Sequence, residues 1–295
     1  MLWLASGCGG GDGFTGDADA DADVDADADS DSDTGGSAVC DRFRADYPNT
    51  APWIWEPGEG ACALGTVSPE AIADGVRRTN LFRAFAGLLP ITEKATYTEK
   101  AQECAVLMQA MGTITHTPDP GAPCYTANAA EAAGSSNLFG GAGSLADSVD
   151  VYVGDEGVDS LGHRRWILFP DYAEGGFGIA GSFSCQWVFG FDDARVEPPY
   201  VPYPSEGDYP LEMIRGAWSV SAAAADWSGA VPTVTRALDG VDMEIGRVWV
   251  PPSGFGLDTL AWDVVGAGEG EYVVRVTGGS VGDLEWSVNV IACGG

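Results

Sequence analysis

The sequence predicts an α+β protein in two folded parts, and three observations carry that reading. Apolar residues recur at helical spacing through the middle of the chain. From Gly176 onward the period switches to two, as in strands. Before residue 40 nothing can enter a core, because from Asp17 to Asp33 every second residue is Asp. Such a tract repels itself and offers little apolar surface, so it is expected to stay solvated. The remaining 255 or so residues suit two ordinary domains.

Residues 40–67 are rich in Pro, Gly and Trp and show no period, which predicts an irregular, stapled segment. Ser68-Pro69-Glu70 then supplies an N-cap and a first-turn proline. Ile72, Val76, Asn80, Arg83 and Gly87 follow at helical spacing as far as Pro90. Thr96-Tyr97-Thr98-Glu99 reads as a capping box opening a second helix. Its apolar face is Tyr97, Ala101, Cys104, Met108 and Met111, and it stops near Gly112. A third helix is expected from Ser144 and a short fourth from about Gly162. Phe177, Ile179 and the run Cys185–Phe191 read as strands that close the first part, over 40–195. The Pro-rich residues 196–210 read as a linker. Beyond it, Thr233–Leu238, Met243–Val250, Thr259–Val265, Tyr272–Thr277 and Leu284–Ala292 alternate with a period of two. In the last of these, Trp286, Val288 and Val290 share one face. Short strands at this spacing without intervening helices predict an all-β antiparallel sandwich over 211–295.

The net charge is -30 and no Lys/Arg cluster occurs, which excludes nucleic-acid binding through phosphate neutralisation. Seven cysteines accompany only two histidines. Cys8, in Leu4-Ala5-Ser6-Gly7-Cys8, resembles a lipobox, so residues 1–8 read as the remnant of a lipoprotein signal whose start lies upstream. Residues 9–39 then form a disordered tether between a lipid anchor on Cys8 and the folded parts. This places the protein at the cell envelope or outside the cell, as an outer-membrane-anchored lipoprotein, with the membrane as its first partner. The other six cysteines read as disulfides in an exported chain, with several connectivities open. Cys104–Cys124 is the preferred pair, as a brace for the loop between them. No CxxC pair occurs, so a structural zinc site is not expected.

Five segments resemble one family. Asn80-Leu81-Phe82-Arg83 with Gly87-Leu88-Leu89-Pro90 is similar to the N-x-x-R-x-x-x-G-L-x-P helix of CAP domains (cysteine-rich secretory protein, antigen 5 and PR-1). Thr115-His116-Thr117 follows the next helix, as in that family. Gly134-Ser135-Ser136-Asn137-Leu138 stands where the family has Gly-Glu-Asn. Ser160-Leu161-Gly162-His163-Arg164-Arg165-Trp166-Ile167-Leu168 resembles its S-x-G-H-R segment, and Gly176-Phe177-Gly178 the following strand. The resemblance implies a CAP-type α-β-α sandwich. It also implies a cleft lined by two His and two Glu, which in some members binds a divalent metal.

Carried over residue by residue, His116 and His163 take the histidine positions, and they are the only histidines of the chain. Ser136 replaces the Gly-Glu-Asn glutamate, with Asn137 beside it and Glu131 five residues earlier as a substitute carboxylate. Asp155 and Glu156 are the nearest candidates for the second. The candidate ligand cleft is therefore His116, His163, Glu131, Ser136 and Asn137, with Zn²⁺ at His116 and His163 as the possible cofactor. Ser160, three residues before His163, invites a nucleophile–base reading. Arg164 and Arg165 are expected to anchor the fourth helix through carboxylates. Trp166, Trp187, Trp249, Trp262 and Trp286 are expected in the core.

The leading functional expectation is non-catalytic binding of a small apolar or envelope-derived ligand, or of a surface partner. The alternative is a peptide or ester hydrolase in which His116 and His163, with Glu131 or a metal, activate water.

Overall fold

Most helix ends follow from local chemistry. The computed structural model describes residues 34–196 and 198–294, so Cys8 and the aspartate tract lie outside the described residues. Helix α1 (Thr34–Asp46) already occupies the last residues assigned to the tether, which moves that boundary back to residue 33. A short hairpin of β1 (Trp55–Glu56) and β2 (Thr66–Val67) follows. In α2 (Pro69–Phe85) the Ser68 hydroxyl accepts from the Ala71 amide, and Pro69 opens the first turn, as expected. After β3 (Thr92–Glu93) comes α3 (Ala95–Met111), which ends on left-handed Gly112. Its capping box does not form. Lys94 is the N-cap, and the Thr98 hydroxyl instead donates to Glu93.

Helix α4 (Ala127–Ser135), capped by Thr126, has no counterpart in the sequence expectation. It is built largely of alanine, and alanine on every face hides the helical period. It leads directly into β4 (Ser136–Gly140). Helix α5 (Leu145–Gly154) starts on Ser144, whose hydroxyl accepts from Asp147, and α6 (Gly162–Ile167) follows.

With β5 (Tyr172–Ala180) and β6 (Phe183–Phe191) these strands form a sheet in the order β3-β5-β6-β4. Helices α3 and α4 cover one face through Cys104, Ala105, Ala129, Ala132, Cys185 and Trp187. Helices α2 and α5 cover the other, against Phe177, Ile179 and Val188. The expected α-β-α sandwich is present.

The Gly-Phe-Gly motif sets its thickness. Phe177 faces α2 and α5, while Gly176 and Gly178 face α3. A Cβ on Gly178 would lie 2.2 Å from the Ala101 carbonyl oxygen. Gly178→Ala must therefore push the helix off the strand, at an expected cost of about 3 kcal/mol in chemical unfolding. Gly87→Ala is the control. Gly87 has φ +69° but open space around it, so its cost should be about 1 kcal/mol.

The family motif of α2 is structural. Asn80 both donates to and accepts from the backbone of Ile91. Arg83 is fully buried and donates to the carbonyls of Leu89, Ile167, Phe169 and Pro170. Burial pulls its guanidinium down to about 10, still charged at neutral pH.

The second lobe begins inside the expected linker. Its Pro-rich residues supply β7 (Val201–Tyr203) and β8 (Gly207–Pro210). Then come β9 (Trp218–Ala222), β10 (Val231–Arg236), β11 (Val241–Asp242) and β12 (Ile245–Trp249). The last three are β13 (Asp258–Val264), β14 (Gly270–Thr277) and β15 (Leu284–Ile291). Two sheets result, β11-β10-β14-β15-β8 and β12-β13-β9-β7. The lobe is all-β, but β8 runs parallel to β15, so the sandwich is not purely antiparallel. Trp286, Val288 and Val290 are buried as predicted.

The two lobes are not separate domains. Residues from Thr34 onward form one compact unit, and one apolar cluster runs from Phe82 and Val149 to Trp218 and Val274.

The cysteine pairing corrects the expectation. The disulfides are Cys40–Cys293, Cys62–Cys124 and Cys104–Cys185. Cys104 lies on the buried face of α3 and can reach only the sheet beneath it. Cys124 sits in the loop beyond α3, where it meets the 57–65 loop instead.

Candidate functional site

The two histidines lie at either side of the junction where α4 passes into edge strand β4. His116 places Nδ1 2.7 Å from the Ala133 carbonyl, three residues before Ser136. Asn137, the residue after Ser136, donates from Nδ2 to the His163 carbonyl at 3.1 Å. Ser136 thus stands between the two anchors. The backbone carbonyl of its neighbour Asn137 also accepts from the buried Tyr152 hydroxyl.

His163 is positioned by the turn before α6. Asp155 is a left-handed residue at the end of α5 with a buried side chain. Its carboxylate accepts from the His163 and Arg164 amides, capping α6, and lies 2.7 Å from His163 Nδ1. Of the two acidic candidates, the structure therefore brings Asp155 to the histidine, while Glu156 is exposed. In both rings Nδ1–H is held by an acceptor, so the tautomer of the neutral imidazole is the one with its lone pair on Nε2. Neither Nε2 has a partner among the described residues.

Ser136 is buried, and its hydroxyl has no partner. Its cross-strand neighbour is Trp187, whose Nε1 is also buried and unpartnered. Directly opposed residues share a sheet face, here the face under α3 and α4. The Trp187 ring is fixed by stacking on Tyr97, with centroids 4.5 Å apart, and by Lys100 Nζ 5.5 Å from its centroid.

Glu131 projects from α4 toward α3 and pairs with Lys100 at 2.7 Å. Its carboxylate is engaged there at the surface. Ser160 does not reach His163; its hydroxyl accepts from the Gly162 amide at 3.2 Å. The nucleophile–base geometry is absent at that pair.

A metal at His116 and His163 would need a third ligand, and the donor set does not supply one. Glu131 is held by Lys100, Asp155 by His163 and the α6 amides, and position 136 carries a hydroxyl. Among the described residues no group of three His, Cys, Asp or Glu side chains could hold a metal ion. The residues present do not fit the group.

Arg164 and Arg165 anchor α6 through backbone carbonyls, not carboxylates, and most of those carbonyls belong to the second lobe. Arg164 donates to Val153 and Gly154 on its own lobe and to Arg215 and Ala217 on the other. Arg165 donates to Pro252 and Leu257. Arg247 adds an ion pair to Asp159 at 2.6 Å. The loop that carries His163 is thus held by the second lobe, a dependence no local sequence signal announces.

Of the five tryptophans expected in the core, Trp187, Trp262 and Trp286 are buried. Trp166 is half-exposed in an aromatic cluster with Phe169, Phe189 and Phe191. Trp249 is likewise half-buried, donating to the Asp159 carbonyl.

A three-layer α-β-α unit with two oriented histidines flanking its edge strand is the arrangement that the resemblance to CAP domains implies. Residues 76–191 match the model of CAP, the Cysteine-rich secretory protein family, so this segment is similar to that family. The match ends at Phe191, the last residue of β6. No curated protein matches the chain.

Proposed function

We propose that this is an exported, envelope-anchored CAP-domain protein that binds a small envelope-derived ligand or surface partner at the His116–His163 cleft without chemistry. One observation carries the reading. Each carboxylate near the cleft already has a partner, Glu131 with Lys100 and Asp155 with His163, so none is left to ligate a metal or activate water beside it. Three disulfides support export. The lipid anchor on Cys8 belongs to the same reading, and incorporation of labelled fatty acid should be lost in Cys8→Ala.

The hydrolase alternative is favoured by one feature. His163 is oriented by a buried carboxylate with Nε2 open, the arrangement of a general base. The test is Zn²⁺ content and ester hydrolysis of the wild type beside His116→Ala/His163→Ala. The binding reading expects no stoichiometric, histidine-dependent Zn²⁺ and no histidine-dependent turnover. Stoichiometric Zn²⁺ in the wild type alone, or turnover lost in Asp155→Asn, would replace it with the hydrolase.

A further inference from the structure

The three disulfides differ in what shields them. Cys104 and Cys185 are fully buried between α3 and the sheet, and Cys40 and Cys293 are almost as well covered. Cys62 is exposed and Cys124 only half-buried, and both line an open surface cavity of about 380 Å³ beside Leu64, Val106 and Tyr125. Cys124 also holds a left-handed backbone, φ +60°, which is unfavourable for a residue with a Cβ. A bridge that is both accessible and strained is the one most open to attack by a thiolate.

The two sides of this bridge are not equally held. The 57–65 loop is closed by the β1–β2 hairpin, and its Leu64 carbonyl accepts from Trp55 Nε1 at 2.9 Å and from Gln102 Nε2 at 2.8 Å. Across the bridge lie residues 113–125, which join α3 to α4 and carry His116. No residue from 112 to 121 is buried, so little apolar packing holds that stretch. Its other hydrogen bonds are local, between Thr115 and Thr117 and from Asp119 to Gly121 and Ala122. Ala122 and Tyr125, next to the bridge, pack on the α3–α4 cluster. Beyond that packing, two attachments fasten the connection: His116 Nδ1 at the Ala133 carbonyl, and the Cys124 sulfur, which lies against Ala61.

We propose that Cys62–Cys124 is a thiol–disulfide exchange site that governs the position of His116, with an external dithiol as its substrate. A thiolate of the dithiol attacks one sulfur of the bridge. The Cys62–Cys124 bond breaks, a mixed disulfide forms, and the other cysteine leaves as a thiolate that takes up a proton. The second thiol of the reagent then displaces the remaining cysteine, and the reagent departs as its own disulfide, having given two electrons to the bridge. With Cys124 released, one hydrogen bond is left to hold His116, and the imidazole leaves the Ala133 carbonyl. The α4–β4 junction thereby loses one of its two flanking imidazoles until the bridge is reoxidised. This inference goes beyond the binding reading and stands without it, because it concerns where a histidine sits and not what it binds.

The test uses the whole chain with Cys8→Ala, so that no free thiol reshuffles the bridges. The folded protein is treated with dithiothreitol, alkylated with iodoacetamide at intervals and mapped by peptide mass spectrometry. Cys62 and Cys124 are expected to be alkylated about tenfold faster, or more, than any of the other four cysteines. Imidazole signals in ¹⁵N-correlated NMR, assigned by their loss in His116→Ala and His163→Ala, are followed in the same reaction. The His116 signal should move toward that of a free histidine and return on adding oxidised dithiothreitol, while the His163 signal stays in place. Cys62→Ser/Cys124→Ser should show the shifted His116 signal with no reductant present. Reduction of another bridge first, or of all three together, would overturn the exchange site. Selective reduction with an unmoved His116 signal would overturn its control of His116, and so would a joint shift of both histidines, which marks unfolding instead of local release.

Discussion

Arg164→Ala is expected to lower the unfolding free energy by about 4 kcal/mol or more and to split one cooperative transition into two. Arg164 is almost fully buried, and its guanidinium donates to five acceptors, from Ala217 at 2.5 Å to Gly154 and the Ser219 hydroxyl at 3.2 Å. Three of them, on Arg215, Ala217 and Ser219, belong to the second lobe. Burial lowers the pKa of this side chain, but an arginine still stays charged at neutral pH. Truncation leaves the carbonyls of two lobes facing an empty space at once. Arg164→Lys should recover only part of the loss, because a point charge cannot span acceptors that the planar fork reaches together. Unfolding in urea followed by far-ultraviolet circular dichroism, for the helices of the first lobe, and by tryptophan fluorescence checks this. Coincident curves with an unchanged midpoint in Arg164→Ala would refute the clamp.

The second large effect is expected from Cys40→Ser/Cys293→Ser. This bridge joins α1 to the residues just past β15 across a sequence separation of 253. Closing a loop that long restricts the unfolded chain by about 5 kcal/mol, against about 4 kcal/mol for a loop the length of Cys62–Cys124. The Cys40–Cys293 end is also held by Arg44, whose guanidinium donates to the Cys293 carbonyl, and by Glu212, which accepts from the Cys293 and Gly294 amides. The folded position of the C-terminus should therefore survive the loss of the bridge, and the deficit should appear as lower stability with native near-ultraviolet dichroism. A Cys62→Ser/Cys124→Ser variant that proves the less stable of the two would contradict the loop-length argument.

The candidate site was partly legible in the sequence. His116 and His163 could be placed because they stand in motifs of fixed spacing, and the departure at Ser136 was visible for the same reason. Two other properties were not legible. Asp155, not Glu156, faces His163 because Asp155 itself takes the left-handed turn that ends α5, and its own carboxylate turns back over the start of α6. Glu131 is drawn to the surface because α4 exists, and alanine-rich periodicity did not reveal that helix. Trp187 entered the site only through the register that sets it opposite Ser136.

Across the fold the division is the same. Signals contained within one element were sufficient alone: the hydroxyl caps of Ser68 and Ser144, the stop at Gly112, and the alternation of Trp286, Val288 and Val290. These depend on dihedral preference and on periodic burial, both properties of a few neighbouring residues. Cysteine pairing, the carbonyl partners of Arg164 and Arg165, and the use of a Pro-rich stretch as sheet strands were decided by the tertiary structure. Each requires groups tens or hundreds of residues apart to meet. Which groups meet is set by how the layers close over a common core, a property no local segment of the chain contains.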